Sequence, residues 1–102
     1  MQLLLTGEMV TAQEAHRIGL VNEVVPAAEL TPRAEAIAQK VIANGPLAVQ
    51  YTMEAVNKGM ETPLAEGLYI EAVLFGAACA TEDEKEGTTA FLQKRPAQFK
   101  GR

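Results

Sequence analysis

Few residues of this chain have the type and spacing for chemistry. Its one histidine, His16, stands beside Arg17 in the run TAQEAHRIG. A zinc site needs several His, Cys or carboxylate ligands at short spacing. No second His or Cys lies near His16, so a surface or half-packed histidine is the plain reading. Cys79 sits among alanines in GAACA and reads as a small core residue. As a nucleophile it would need a base, and only the distant His16 is on offer. Glu71 is one of two acids in the apolar run 64–80, the other being Glu66. Two readings stay open for it: a general base, or a carboxylate paired in a buried or subunit-facing contact. The acids of EDEKE, residues 82–86, read as the charged start of a helix. The eight glycines are scattered and form no phosphate-cradling loop. No catalytic constellation can be assembled from these groups.

The stretch richest in recognition chemistry is the end, TTAFLQKRPAQFKGR. From Lys94 onward it carries Lys94, Arg95, Lys100 and Arg102 and no acid, whereas the residues before it hold five Lys and Arg against all thirteen Asp and Glu. A cationic side chain beside Phe91 or Phe99 is suited to an anion attached to something flat, such as a phosphate and a ring. The alternative is an ordinary solvated terminus.

The elements that must position these groups are written in helix punctuation. TAQE, residues 11–14, is a capping box that opens a short helix ended by Gly19. LVNEVVP is β-branched and predicts a short extended piece ending at Pro26. Thr31 as cap and Pro32 in the first turn predict a helix ended by Gly45, with Ala34, Ile37, Ala38, Val41 and Ile42 on one face. Pro46 begins the next helix and Gly59 closes it. Thr62 and Pro63 begin a third, through Ala80. A second capping box, TEDE at 81–84, launches a final helix through about Lys94, with Lys94 and Arg95 in its last turn where the helix dipole favours cations. The expected fold is all-α or nearly so.

The totals bound the rest. The 102 residues allow one domain or a piece of one. Hydrophobic residues make up 48% and charged ones 22%, a globular composition. The net charge of −4, with excess positive charge confined to the tail, argues against nucleic acid or a membrane surface as partner. One cysteine excludes an intrachain disulfide and fits a reducing compartment. The opening MQLLLTGE lacks the basic segment of a secretory signal, and Glu71 interrupts the longest apolar run, so no membrane span is expected. A soluble, cytoplasmic helical protein follows. The run 64–80 is apolar on every face and should be surrounded on all sides, which a chain this small cannot easily do. MQLLLTG reads as the last turns of a helix without a start. Contact with something outside these residues is therefore expected, either a preceding half, neighbouring subunits, or both.

Read in order, LLLTGEMVTAQEAHRIGLVNEVVP, GPLAVQYTMEAVNKGME and ATEDEKEGTTAFLQKRPAQF resemble the C-terminal part of the enoyl-CoA hydratase/isomerase (crotonase) superfamily. The resemblance runs from Leu3 almost to Arg102. It implies that residues 1–102 are a single helical trimerisation segment of a crotonase fold, with the ββα spiral core expected upstream and absent here. The catalytic acids and the two backbone donors of the family's oxyanion hole would lie in that core, so no catalytic residue is assigned in this chain. The resemblance also implies an acyl-CoA substrate, with the CoA thioester as substrate and no further cofactor. It implies a homo-oligomer, trimer or hexamer in the parent, with a dimer or other assembly open to the fragment. In such hydratases the last helix lies near the CoA of a neighbouring subunit. Phe91 matches an aromatic near the adenine, Lys94 a lysine near the CoA phosphates, and Phe75 in VLFGA an aromatic close to the thioester. Arg95, Phe99 and Lys100 are weaker matches, and packing between helices is the other reading of Phe75 and Phe91. Hydratase is the leading activity, with an enoyl-CoA isomerase, methylglutaconyl-CoA hydratase or stand-alone helical oligomerisation module as alternatives.

Overall fold

The computed structural model describes all 102 residues. Six α-helices and one 3-10 turn carry the fold, and no strand forms. The chain divides into two compact units, Met1–Glu35 and Ala36–Arg102.

In the first unit, α1 (Gln2–Thr6) ends at Gly7, whose φ of 66° is left-handed and whose N–H donates to the Leu3 carbonyl. α2 (Ala12–Arg17) opens on Thr11, whose hydroxyl accepts the Glu14 N–H at 3.2 Å. Only half of the expected capping box forms. The Glu14 carboxylate turns to the Arg17 guanidinium, with two bonds of 2.6 Å, instead of reaching back to the cap. The expected extended piece LVNEVVP is irregular backbone. Without a neighbouring strand its N–H and C=O groups have no ladder to join, and Glu23 within it instead grips Arg33 through bonds of 2.6 and 2.7 Å. Pro26 begins a 3-10 turn (Ala27–Glu29) that runs directly into α3 (Leu30–Ile42). Thr31 therefore lies inside α3 and not at its cap, because the turn before it already supplies helical backbone.

In the second unit, the end of α3 is finished by Asn44, not by Gly45 as expected. The Asn44 side-chain amide donates to the Lys40 and Val41 carbonyls at 2.8 and 3.3 Å. Gly45 instead caps the start of α4 (Pro46–Gly59), where proline fits because the first N–H of a helix has no intrahelical partner anyway. α5 (Leu64–Cys79) has no side-chain cap, and Thr62 donates its hydroxyl back to the Lys58 carbonyl. α4 and α5 pack side by side. A Cβ on Gly67 would stand 3.4 Å from the Gly59 Cα, so this pair of glycines permits the close approach of the two backbones. α6 (Glu82–Leu92) departs from the direction of α5 by 76°.

The core is slight. Only Ala15 and Ala90 are buried apolar residues, and no large side chain is fully buried. The accessible surface is 8444 Å², whereas a closed monomer of this mass would show about 5,600 Å². Apolar side chains run along α5, where Leu64, Leu68, Tyr69, Val73 and Phe75 are all exposed. α4 covers one side of that helix and leaves the rest bare, as the all-round apolar pattern foretold. No single helix is long and apolar enough to cross a membrane.

Candidate functional site

The candidate site is built at the end of α6. Thr81 accepts the Glu84 N–H at 3.1 Å and starts the helix. Glu82, Asp83 and Glu84 fill its first turn, the signs a helix N-terminus favours. As at α2, the box is half formed, for the Glu84 carboxylate accepts the Thr88 hydroxyl at 2.8 Å. The helix stops at Leu92, earlier than expected, and its last turn holds no base. Lys94 and Arg95 lie beyond it because the chain turns left-handed at Lys94, the one non-glycine residue with positive φ, at 53°. The Lys94 N–H donates to the Phe91 carbonyl at 3.2 Å and the Arg95 N–H to the Ala90 carbonyl at 3.0 Å. These two bonds are those of a Schellman cap, in which glycine usually holds the left-handed position.

Phe91 and Lys94 thus share one helix end, and the Phe91 ring is 83% exposed. The tail cations divide by role. Arg95 is bonded to Glu86 through two contacts of 2.7 and 2.8 Å, and Arg102 reaches Glu82 at 3.1 Å. Lys94 takes part in no ion pair. The Arg95 fork, aided by the Gln98 N–H that donates to Glu86 at 2.8 Å, holds the Glu86 carboxyl at about 2, well below the usual carboxylate range.

A second anchor was hidden in the acidic run. Asp83, only 6% exposed, accepts the Lys100 N–H at 2.6 Å and the Gly101 N–H at 2.7 Å, and its own N–H donates to the Arg102 carbonyl at 3.1 Å. The Phe99 ring lies against Gly45 and Gly87, where Cβ atoms would touch it at 3.6 and 3.4 Å. The tail is therefore folded back onto α6, and Phe99 is part of that fold. Nothing in TEDEKEG distinguishes Asp83 from its neighbours; the available signal was Gly87, a glycine inside a helix where no turn calls for one.

Phe75 lies elsewhere. It is 70% exposed on α5 and lines a groove of about 760 Å³ against α4, together with Tyr51, Val56, Leu68, Glu71 and Leu74. Neither Phe91 nor Lys94 lines that groove, so the three expected residues fall in two places. Glu71 stands at the groove and is exposed. Cys79, expected in a core, has an exposed thiol at the end of α5, because nothing in the chain covers that part of the helix. His16 is on the surface. No three His, Cys, Asp or Glu side chains come together as metal ligands.

The family profile described as Enoyl-CoA hydratase/isomerase matches residues 1–102. The chain belongs to the enoyl-CoA hydratase/isomerase family. It is 49% identical over 98 residues to a crotonyl-CoA hydratase of Syntrophomonas wolfei, a match covering 96% of this chain and 38% of that protein. It is 43% identical over 102 residues to a short-chain-enoyl-CoA hydratase of Clostridium acetobutylicum, covering 99% of this chain and 39% of the relative. The crystal structure of an enoyl-CoA hydratase from Bacillus anthracis superposes with a TM-score of 0.95 at 40% identity, over 99% of this chain and 39% of that one. This member of the enoyl-CoA hydratase/isomerase family spans about two fifths of the length of the relatives it matches. Its helices are those of a crotonase-fold segment, and the expected all-α class holds.

Proposed function

We propose that this chain serves as the C-terminal helical segment of an enoyl-CoA hydratase that adds water across the 2,3-double bond of 2-enoyl-CoA thioesters in acyl-CoA breakdown. In this reading the segment supplies subunit contacts through α5 and part of the CoA pocket through Phe75, Phe91 and Lys94. The chemistry itself, enolate stabilisation by paired N–H donors and proton transfer by carboxylates, is assigned to the part of the family fold that these residues do not cover. The CoA thioester enters as substrate and no separate cofactor is assigned. The parent is a homo-oligomer, trimer or hexamer, and a single unpaired cysteine suits the reducing cytoplasm.

The observation that carries the ligand role is Lys94 held left-handed beside an exposed Phe91. A non-glycine residue in that conformation costs about 1–2 kcal/mol. Strain of that size persists where the surroundings impose it, and it gathers at ligand-binding sites. An unpaired ammonium and a bare ring at one helix end are the chemistry that a nucleotide phosphate and its base would meet.

A chimaera tests the reading. The Syntrophomonas wolfei crotonyl-CoA hydratase, with its matching segment replaced by residues 1–102, is expected to hydrate crotonyl-CoA, and the 102-residue chain alone to give no turnover. A folded, oligomeric chimaera without hydratase activity would sink the proposal, as would turnover by the isolated chain. If the isolated chain instead assembles into a discrete oligomer while the chimaera is dead, the stand-alone oligomerisation module is the better account.

A further inference from the structure

Arg95 does more than neutralise Glu86. Its guanidinium closes a clip around the residue before it. Nε donates to the Gln93 Oε1 at 2.8 Å, and Nη1 donates to the Pro96 carbonyl at 3.1 Å and to the Glu86 Oε1 at 2.7 Å. Nη2 completes the fork on the Glu86 Oε2 at 2.8 Å. One planar group therefore ties the residue preceding Lys94, the residue two positions after it, and a carboxylate two helical turns back. Glu86 also accepts the Gln98 N–H at 2.8 Å, so the exit direction of the chain after Lys94 is set from both sides. Lys94 itself contributes no side-chain bond to this arrangement, yet it occupies the backbone conformation least natural to a lysine, at φ 53°.

We propose that Glu86 and Arg95 are positioning residues: their ion pair holds the backbone of Lys94 left-handed and so aims the Lys94 ammonium beside the Phe91 ring at the phosphates of a CoA thioester. The inference rests on the ligand reading of Lys94 and assigns to the clip the conformation that this reading needs. A planar guanidinium is required for the task, since an ammonium, with three N–H groups on one atom, could not serve four acceptor oxygens lying in different directions. Removing the charge on Glu86 loosens Arg95, and Lys94 then samples the ordinary right-handed and extended conformations in which its side chain leaves the ring.

The test uses the chimaera that carries residues 1–102 on the Syntrophomonas wolfei crotonyl-CoA hydratase, with Glu86→Gln, Lys94→Ala and the double variant assayed on crotonyl-CoA and on crotonyl-pantetheine, which lacks the nucleotide phosphates. Glu86→Gln is expected to raise KM for crotonyl-CoA by roughly 3- to 10-fold with kcat unchanged, a fraction of the effect of losing a charged contact outright. It should leave crotonyl-pantetheine kinetics unmoved and add nothing in the Lys94→Ala background, as expected of residues acting through one contact. Arg95→Lys should behave as Glu86→Gln does. A KM that rises equally on both substrates, or that rises again in the Lys94→Ala background, overturns the positioning role, because a general loosening of the fold would do that. So does a KM moved by Lys94→Ala but not by Glu86→Gln, which leaves the ligand reading standing. A KM untouched by Lys94→Ala removes the ligand reading and the clip's purpose together. Should Glu86→Gln fold poorly, Lys94→Gly is the second variant. It keeps the turn without the ammonium and must reproduce the Lys94→Ala KM.

Discussion

Replacing Lys94 by glycine separates what the residue costs the fold from what it does for a ligand. At φ 53° the lysine Cβ crowds the following carbonyl, a penalty of about 1–2 kcal/mol that glycine does not incur. Glycine gives part of this back, because its unfolded chain is freer by about 0.5–1 kcal/mol. The net gain is therefore about 0.5–1 kcal/mol in favour of Lys94→Gly. For a unit of about 100 residues that corresponds to a rise in Tm of roughly 2–8 °C. Lys94→Ala is the control, since it removes the ammonium but keeps the Cβ and gains nothing from the turn. Both variants lose the same charged contact, worth about 1.5–3 kcal/mol where it is made. The two measurements must then move in opposite directions: thermal unfolding places Lys94→Gly above the parent and above Lys94→Ala, while CoA titration places both variants below it by about 10- to 100-fold. A glycine variant no more stable than the alanine variant would show that the left-handed turn carries no strain, and the case for an imposed, functional conformation would fall with it.

Four other expectations come from the same unit. Asp83→Ala strips two backbone N–H groups of their acceptor at 2.6 and 2.7 Å; it should cost about 2–3 kcal/mol, limited by the tail's freedom to rehydrate, and expose the Lys100 and Gly101 amides to hydrogen exchange, whereas unchanged protection would contradict the anchor. Glu86 has a folded pKa held at about 2 against an ordinary value of 4.5, so its contribution is complete above that ordinary value and fades as pH falls towards 2; an NMR titration of its carboxylate centred near the ordinary value would rule out the fork with Arg95. Gly87→Leu forces a side chain into the place of the Phe99 ring, to which even a Cβ would be 3.4 Å, and should release the tail as Asp83→Ala does, read by faster proteolysis after Lys100. Tyr69→Asp with Val73→Asp on the bare side of α5 should lower the sedimenting mass of the chain without lowering its helix content, because those side chains are exposed within one copy; an unsubstituted chain that already sediments as a monomer would refute the covered face.

Local chemistry made part of this fold legible. Thr11 and Thr81 cap their helices because a hydroxyl one residue before the first turn has no better partner than the third N–H. Gly7 and Gly19 stop theirs because only glycine turns left-handed without penalty. Where two neighbours competed for one task, type alone did not decide it. Gly45 and Asn44 both suit a helix end, and the asparagine amide reached the free carbonyls first, leaving the glycine to start α4. Thr31 lost its capping role to a 3-10 turn that no residue pattern announced. The site was less legible because its parts are held from far along the chain. Asp83 meets groups 17 and 18 residues away, and Lys94 adopts a backbone that lysine avoids next to an Arg95 tied to a carboxylate nine residues back. Phe75, Phe91 and Lys94 were named through resemblance, and all three side chains are exposed.

The charge inversion at the end of the chain now has a physical account that fits neither a bare solvated terminus nor a four-cation anion trap. A tail of like charges folded onto itself would repel. Folded onto the first turns of α6 it is held by Glu82, Asp83 and Glu86: the first pairs with Arg102, the last with Arg95, and Asp83 accepts the Lys100 and Gly101 backbone N–H groups. The acids favour the helix N-terminus in their own right, so the same carboxylates stabilise the start of α6 and recruit the segment that returns from its end. Exposed pairs of this kind are individually weak, about 0–1 kcal/mol each, and would not hold a tail alone. The Phe99 ring and the two bonds to the buried Asp83 supply the rest. After that arrangement the Lys94 and Lys100 ammonium groups both remain exposed and without an ion pair, and Lys94 stands at the point where the chain reverses. An unscreened cation there interacts with an arriving dianionic phosphate more strongly than one already compensated by a carboxylate, since a neutralised pair presents only a dipole. The acidic run and the basic tail therefore act as one device. Without the acids the tail would offer four mobile charges in no fixed place; with them Arg95 and Arg102 are paired, and the Lys94 backbone is set in the turn that follows Phe91.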